Sequence, residues 1–152
     1  MLFRSVSQSR YAKTGGSFIA SGYKNVIDGR DIGTSGGVPT DYLFIGGGTN
    51  NNITISACSS ILGGHHNTIE GYESGTTFFT VADCAIVGGV TNKIQASQSN
   101  EIGGVFIGGG VGNTIYGASK LSSIVGGEGN YVHNHFCMLF NSGWSSQYNR
   151  RV

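Results

Sequence analysis

Two stretches decide the fold, Ile61-LGGHHNT-Ile69 and Ile86-VGGVTNK-Ile94. Each begins and ends on isoleucine eight residues apart, with Gly at its fourth position and Asn at its seventh. Four further copies keep that frame: Ile19-ASGYKNV-Ile27, Ile45-GGGTNNN-Ile53, Ile107-GGGVGNT-Ile115 and Ile124-VGGEGNY-Val132. The fourth residues are Gly22, Gly48, Gly64, Gly89, Gly110 and Gly127, and the seventh are Asn25, Asn51, Asn67, Asn92, Asn113 and Asn130. Repetition at a fixed spacing marks stacked units that each bury their apolar face only against a neighbour.

Working outward, a degenerate copy, Phe140-NSGWSSQ-Tyr148, keeps Gly143 but has Ser146 where Asn is expected, and a weaker one, Phe3-RSVSQSR-Tyr11, opens the chain. The tripeptides Met1-Leu2-Phe3 and Met138-Leu139-Phe140 match, which supports counting both ends as coils. Copy starts at 3, 19, 45, 61, 86, 107, 124 and 140 differ by 16, 26, 16, 25, 21, 17 and 16 residues. The basic coil is therefore 16 residues, and three coils carry insertions of ten, nine and five. The expectation is an all-β solenoid of about eight coils over residues 1–152, a rod on the order of 40 Å long at ~4.8 Å per coil. Two short strands per coil pair with the coils above and below.

In this arrangement Ile19, Ile27, Ile45, Ile53, Ile61, Ile69, Ile86, Ile94, Ile107, Ile115, Ile124 and Val132 line the interior. Gly after the first strand supplies a turn that a Cβ would hinder, and Asn is expected to turn the chain and form a hydrogen-bonded ladder from coil to coil. Residues flanking the first Ile point to its opposite side, because side chains alternate along a strand. The pairs are Phe18/Ala20, Phe44/Gly46, Ser60/Leu62, Ala85/Val87, Phe106/Gly108, Ser123/Val125 and Leu139/Asn141, and each has an apolar member. Phe18, Phe44, Leu62, Val87, Phe106, Val125 and Leu139 are thus expected to form one apolar stripe, covered by the same stripe of neighbouring copies or by an insertion folded back over it. The residues before the second Ile, Val26, Asn52, Thr68, Lys93, Thr114, Tyr131 and Gln147, are mainly polar and are expected to face water.

Composition agrees with a turn-rich stack: 152 residues with 27 Gly, one Pro and 11% charged side chains, and no Gly-x-y period. A net charge of +1 from nine scattered basic and eight scattered acidic residues offers no basic stripe, so nucleic acid is not an expected partner. No export signal is apparent, and the longest apolar runs fall far below a membrane span, so membrane insertion is not expected either. Cys58, Cys84 and Cys137 are too widely spaced for a CxxC metal site and odd in number for a disulfide framework.

Tandem SxxIGGGxxNxI-type text resembles the left-handed parallel β-roll head repeats of trimeric autotransporter adhesins, and their relatives in phage and virus tail fibres. The matching residues are the Gly and Asn above with Ser17, Ser59 and Ser122, which the resemblance puts at a small inward position. It implies a homotrimeric, extracellular, non-enzymatic fibre or attachment segment on a virion tail or cell surface, with no cofactor. The coils here diverge more than those of the family, and a stalk or anchor is not expected within these residues. An open solenoid end exposes strand edges, so the chain is expected to be a fragment or to be capped by other chains.

Recognition residues tend to sit on loops held by a rigid scaffold. Tyr42, at the end of the first insertion with Arg30 and Asp31, and Tyr72, Phe78 and Phe79, in the second, are the candidate contacts to a host glycan or protein. Packing of Phe78 and Phe79 onto the roll is the alternative. His133-Asn134-His135 lacks a third metal ligand nearby, and His65-His66 fills a solvated turn, so no metal site is expected. Gly108-Gly109-Gly110-Val111-Gly112 lacks the Gly-Lys-Ser/Thr of a phosphate loop. The near pairs Asp28/Asp31 and Glu70/Glu73 leave open a polysaccharide-degrading spike, which requires carboxylates gathered in a groove. A purely architectural component of a virion or injection machine is the third possibility.

Overall fold

In the computed structural model the described residues are 8–10, 16–28, 41–75, 77–98, 100–133, 139–141 and 148–150. Side chains are described for 16–28, 41–75, 77–98 and 100–133. These residues are all strand, turn and bend, with no helix among them. The second isoleucine of each copy and its neighbours build an eight-stranded sheet, in order Gln8–Arg10, Val26–Asp28, Asn52–Thr54, Thr68–Glu70, Lys93–Gln95, Thr114–Tyr116, Tyr131–His133 and Tyr148–Arg150. The first isoleucine and its neighbours build a seven-stranded sheet: Phe18–Ile19, Phe44–Ile45, Ser60–Ile61, Ala85–Ile86, Phe106–Ile107, Ser122–Ile124 and Leu139–Asn141. All pairing in both is parallel and joins successive coils. The protein is a parallel β-solenoid.

Register follows the isoleucines. Ile27, Ile53, Ile69, Ile94, Ile115 and Val132 stand opposite one another in one sheet. Ile19, Ile45, Ile61, Ile86, Ile107 and Ile124 do so in the other. All are fully buried except Ile19, which is half-buried and packs against the same core. A third inward position, two residues before the first isoleucine, holds Leu43, Ser59, Cys84, Val105 and Ser122, all buried, with Ser17 half-buried. Serine at this slot bonds along the stack, since the N–H of Leu43 donates to Ser17 Oγ and that of Cys84 to Ser59 Oγ.

Two strands per coil was too few for the middle of the molecule. Ser56–Ala57, Val81–Ala82 and Ile102–Gly103 form a third parallel sheet, which a single bridge from Gly103 to Lys120 extends. Val81 and Ile102 are buried, and Ser56 Oγ donates to the Val81 carbonyl at 2.8 Å, so side-chain identity varies while the inward direction persists. The terminal registers also differ from expectation. Ser9, not Tyr11, stands opposite Ile27, a separation of 27 − 9 = 18 residues rather than 16. Asn141, not Phe140, stands opposite Ile124, and Asn149, not Tyr148, opposite Val132, separations of 141 − 124 = 17 and 149 − 132 = 17. Both end copies lack the Asn, and register slips where no buried group pins it.

The turn explains the Gly and Asn columns. Gly22, Gly48, Gly64, Gly89, Gly110 and Gly127 have φ between 86° and 100°, and a Cβ on any of the first five would overlap the carbonyl oxygen of the corresponding glycine in the next coil. Left-handed backbone occurs at the residue before each asparagine rather than at the asparagine itself: Lys24, Asn50, His66 and Thr91 lie at φ 54° to 56°, with Gly112 and Gly129 in the same place. The asparagines are buried and serve as connectors. The N–H of Asn51, Asn67, Asn92, Asn113 and Asn130 each donates to Oδ1 of the preceding asparagine at 3.0 Å. Each Nδ2 donates to the carbonyl four residues back, and from Asn25 to Asn113 also to the fourth-position glycine of the following coil.

Asn92→Ala removes three of these bonds and leaves the buried N–H of Asn113 and the Gly88 carbonyl without their side-chain partner. Leaving a buried polar group unsatisfied costs ~1–3 kcal/mol, so with two such groups the variant is expected to lose at least about 2 kcal/mol. Urea unfolding with an unchanged slope and a lower midpoint checks this.

Candidate functional site

The outer face of the seven-stranded sheet carries the apolar stripe. Phe18, Phe44, Leu62, Val87, Phe106 and Val125 are 37% to 60% exposed on the isolated chain. Leu139 belongs to a strand whose side chains lie outside the described residues; its backbone pairs with Ser122, one place off the stripe's register. The large/small pairing has a direct cause. The Phe44 ring lies across Gly46, so that a Cβ there would stand 3.4 Å from Cε1, and Phe106 covers Gly108 in the same way at 3.3 Å. Phe18 stacks on Phe44, ring centroids 6.2 Å apart. Among the described insertions none covers the stripe, as the exposures show.

The outer face of the eight-stranded sheet is different in chemistry. The residues after the second isoleucine align there in one column, Asp28, Thr54, Glu70, Gln95, Tyr116 and His133. At one end the Tyr116 and His133 rings lie parallel, 5.2 Å apart. Near the middle, Lys93 Nζ sits 3.1 Å from Glu70 Oε2, and Gln95 Nε2 donates to the same oxygen at 3.3 Å. Both ion-pair partners are half-exposed, where such a pair contributes only ~0.2–1 kcal/mol, so its effect is to orient Glu70 rather than to hold the fold.

The nine-residue insertion folds into an antiparallel hairpin, Tyr72–Ser74 with Thr77–Phe79, in which Phe79 faces Tyr72 and Phe78 faces Glu73. Alternation puts Tyr72 and Phe79 on one side, and both pack against the core. Between this hairpin and the sheet lies a cleft of about 360 Å³ lined by Asp28, Asn52, Thr54, Ile55, Glu70, Gly71, Tyr72, Glu73 and Gln95. Three carboxylates share it. Asp28 Oδ1 is buried and has no hydrogen-bond partner. Ile55 below takes φ 47°, unusual for a β-branched residue, and Gly71 is required beside it because a Cβ there would stand 2.7 Å from Ile55 Cβ.

No protein-family model, curated protein or solved structure matches the chain.

Of the four aromatic residues expected to meet a partner, Tyr42 is 68% exposed, at a left-handed corner with φ 58°. Phe78 is half-buried, and Tyr72 and Phe79 anchor the hairpin on the core, so their rings hold the cleft wall in place. Arg30 and Asp31 of the first insertion, His135 and Cys137 lie outside the described residues. His65 and His66 are exposed in a turn, edge to face at 4.1 Å. Among the described residues no group of three or more His, Cys, Asp or Glu could hold a metal ion. The gathering of Asp28 with Glu70 and Glu73 was missed, although part of the signal was available: Asp28 and Glu70 each follow the second isoleucine directly, which puts them two strands apart in a single column with Thr54 between them.

Cys84 occupies the inward slot filled by Ser59 in the coil before, and Cys58 is exposed. Burial pushes the Cys84 thiol up from 9.0 to about 12. Between those values the unfolded chain releases the proton while the folded chain keeps it, so stability falls as pH rises through that window and is unaffected below it. Relative to Cys84→Ser, the native chain is expected to lose ~1.4 kcal/mol per pH unit above the unfolded value, measured by urea unfolding from pH 8 upward.

Proposed function

We propose that the chain is a segment of a homotrimeric, left-handed β-roll fibre, an extracellular attachment component of a virion tail or cell surface that performs no catalysis. The observation that carries this reading is the exposed stripe Phe18, Phe44, Leu62, Val87, Phe106 and Val125, one large apolar side chain per coil on a single sheet face. A continuous apolar row is a liability on a monomer and a seam in an assembly. Three copies around an axis parallel to the rod bring three identical stripes together. Full burial of such a side chain contributes ~1.5–3 kcal/mol, and with roughly half already buried each adds ~1 kcal/mol, enough over six per copy to hold the oligomer. The recurring Gly and Asn columns support the kinship with adhesin head repeats on which three-fold symmetry and handedness rest. Sedimentation equilibrium of the unmodified chain is expected to give three times the 15.9 kDa chain mass, and a stable, soluble monomer overturns the proposal.

One observation favours a polysaccharide-cleaving spike instead: Asp28, Glu70 and Glu73 in one cleft. Paired carboxylates are the machinery of glycoside hydrolysis. Against it, Glu70 is engaged by Lys93 and Gln95. Incubation with bacterial surface polysaccharides is expected to release no new reducing ends. Release that disappears in Glu73→Gln would replace the attachment reading with the enzymatic one.

A further inference from the structure

The apolar outer face of the seven-stranded sheet has two edges of opposite character. Three residues before each first isoleucine the chain turns a left-handed corner, at Gly16, Tyr42, Cys58, Asp83, Gly104 and Leu121, with φ from 47° to 75°. Tyr42 and Leu121 stand out from this column, 68% and 60% exposed, although such backbone disfavours a bulky side chain. Each lies against the corner glycine of the coil before, since a Cβ on Gly16 would stand 2.9 Å from Tyr42 Cδ1 and one on Gly104 3.0 Å from Leu121 Cδ2. At the other edge, two residues after the isoleucine, stand Ser21, Gly47, Gly63, Gly88, Gly109 and Gly126. At Gly63, Gly88 and Gly126 the backbone is not left-handed and an added Cβ would meet nothing within 4 Å. Unlike the glycines that follow them, these three are not required by the chain's own fold.

We infer that the corner column of each copy packs, at equal height, on the glycine column of the next copy. The inference rests on the fibre reading above and names a second contact in its seam, for opposite edges of one face meet whenever copies close into a ring around an axis beside that face. Area calls for it. The six stripe residues with Tyr42 and Leu121, 37% to 68% exposed, leave roughly 750 Å² uncovered when an aromatic side chain presents ~150–250 Å², against the ~800 Å² per partner of one standard interface. A ring needs two contacts per copy, so surface beyond the stripe joins it. The occupant is a second copy of this chain because the face repeats at ~4.8 Å through successive coils, and only a parallel rod of the same spacing stays in contact along it. At equal heights Cys58 meets Gly63, Asp83 meets Gly88 and Leu121 meets Gly126, each entering space that no side chain of the receiving copy fills. Asp83 is the charge among these corner residues, and the turn column it approaches holds exposed His65 one coil away and its nearest carboxylate, Glu128, two coils away, so no like charge opposes it.

The test places a thiol in the glycine column of the full chain, Gly63→Cys, with the exposed native Cys58 as its partner. Within one copy these positions lie at opposite ends of a crossing strand, roughly 16 Å apart at ~3.3 Å per residue, well beyond the ~7 Å Cα separation that a disulfide spans. Oxidation is expected to give covalent trimers on a non-reducing gel, and none when Cys58→Ser is added. Gly88→Phe is expected to keep the far-ultraviolet β signal, because the isolated chain has room at that Cβ, and to weaken association at least about tenfold, because the seam has none. A trimer by sedimentation that does not cross-link, or association indifferent to Gly88→Phe, overturns this inference alone. A dimer joined through Cys58 of both copies replaces the ring by a two-fold pair and overturns it together with the trimer. A soluble monomer sinks the fibre reading and this inference with it.

Discussion

Ile86→Asp is expected to yield no soluble, folded protein. Ile86 is fully buried and pairs in register with Ile61 before it and Ile107 after it, so every neighbour along the stack is another buried isoleucine. Truncating the side chain removes ~2–5 kcal/mol of packing, and placing a carboxylate without a partner in the same space costs several more. Their sum approaches or exceeds the ~5–15 kcal/mol that a domain of this kind has in total. A core one isoleucine wide has no second layer into which the charge can turn. Soluble yield and the far-ultraviolet β signal report the outcome, and Ile86→Val, expected to cost only ~0.5–1.5 kcal/mol, serves as the control. A soluble, normally assembled Ile86→Asp chain would contradict the inward register.

Phe44→Lys combined with Phe106→Lys is expected to dissolve the assembly while leaving the coil intact. Both rings are about 40% exposed and lie across glycines on the outer face, so neither supports the interior of its own chain. In a trimer the pair removes six ring contacts at ~1 kcal/mol each and adds six like charges near one axis, so association weakens by roughly 10⁴-fold or more. Sedimentation would show the mass of one chain. Stability then loses its dependence on protein concentration, as linkage requires when the partner is removed. Phe44→Leu with Phe106→Leu is expected to remain assembled, since the seam needs apolar volume rather than aromatic rings.

What could be read from the residues was what the stack repeats, and what could not was what it varies. Isoleucine, glycine and asparagine recur because each coil meets the same neighbours: Ile94 faces Ile69 and Ile115, Gly89 abuts Gly110, and Asn92 bonds to Asn67 and Asn113. The third sheet was hidden because its inward residues, Ser56, Val81 and Ile102, share direction without sharing identity, and two insertions disturb their spacing. The seventh-position asparagine was expected both to turn the chain and to form a ladder; the ladder is present, with both ends of the amide used, whereas the preceding residue takes the left-handed conformation. Terminal registers were misplaced by one and two residues where that asparagine is missing. The acidic cleft depends on a hairpin bringing Glu73 back over the column that holds Asp28 and Glu70, a long-range contact that no local pattern encodes.

Determination of the assembled chain's structure by crystallography tests the central claim most directly. The account predicts three copies related by an axis along the rod, with Phe44 and Phe106 of each packed against their counterparts and the face bearing Asp28, Glu70 and Gln95 turned outward to solvent. Phe44 and Phe106 in solvent, or covered by an insertion of their own chain, would contradict it.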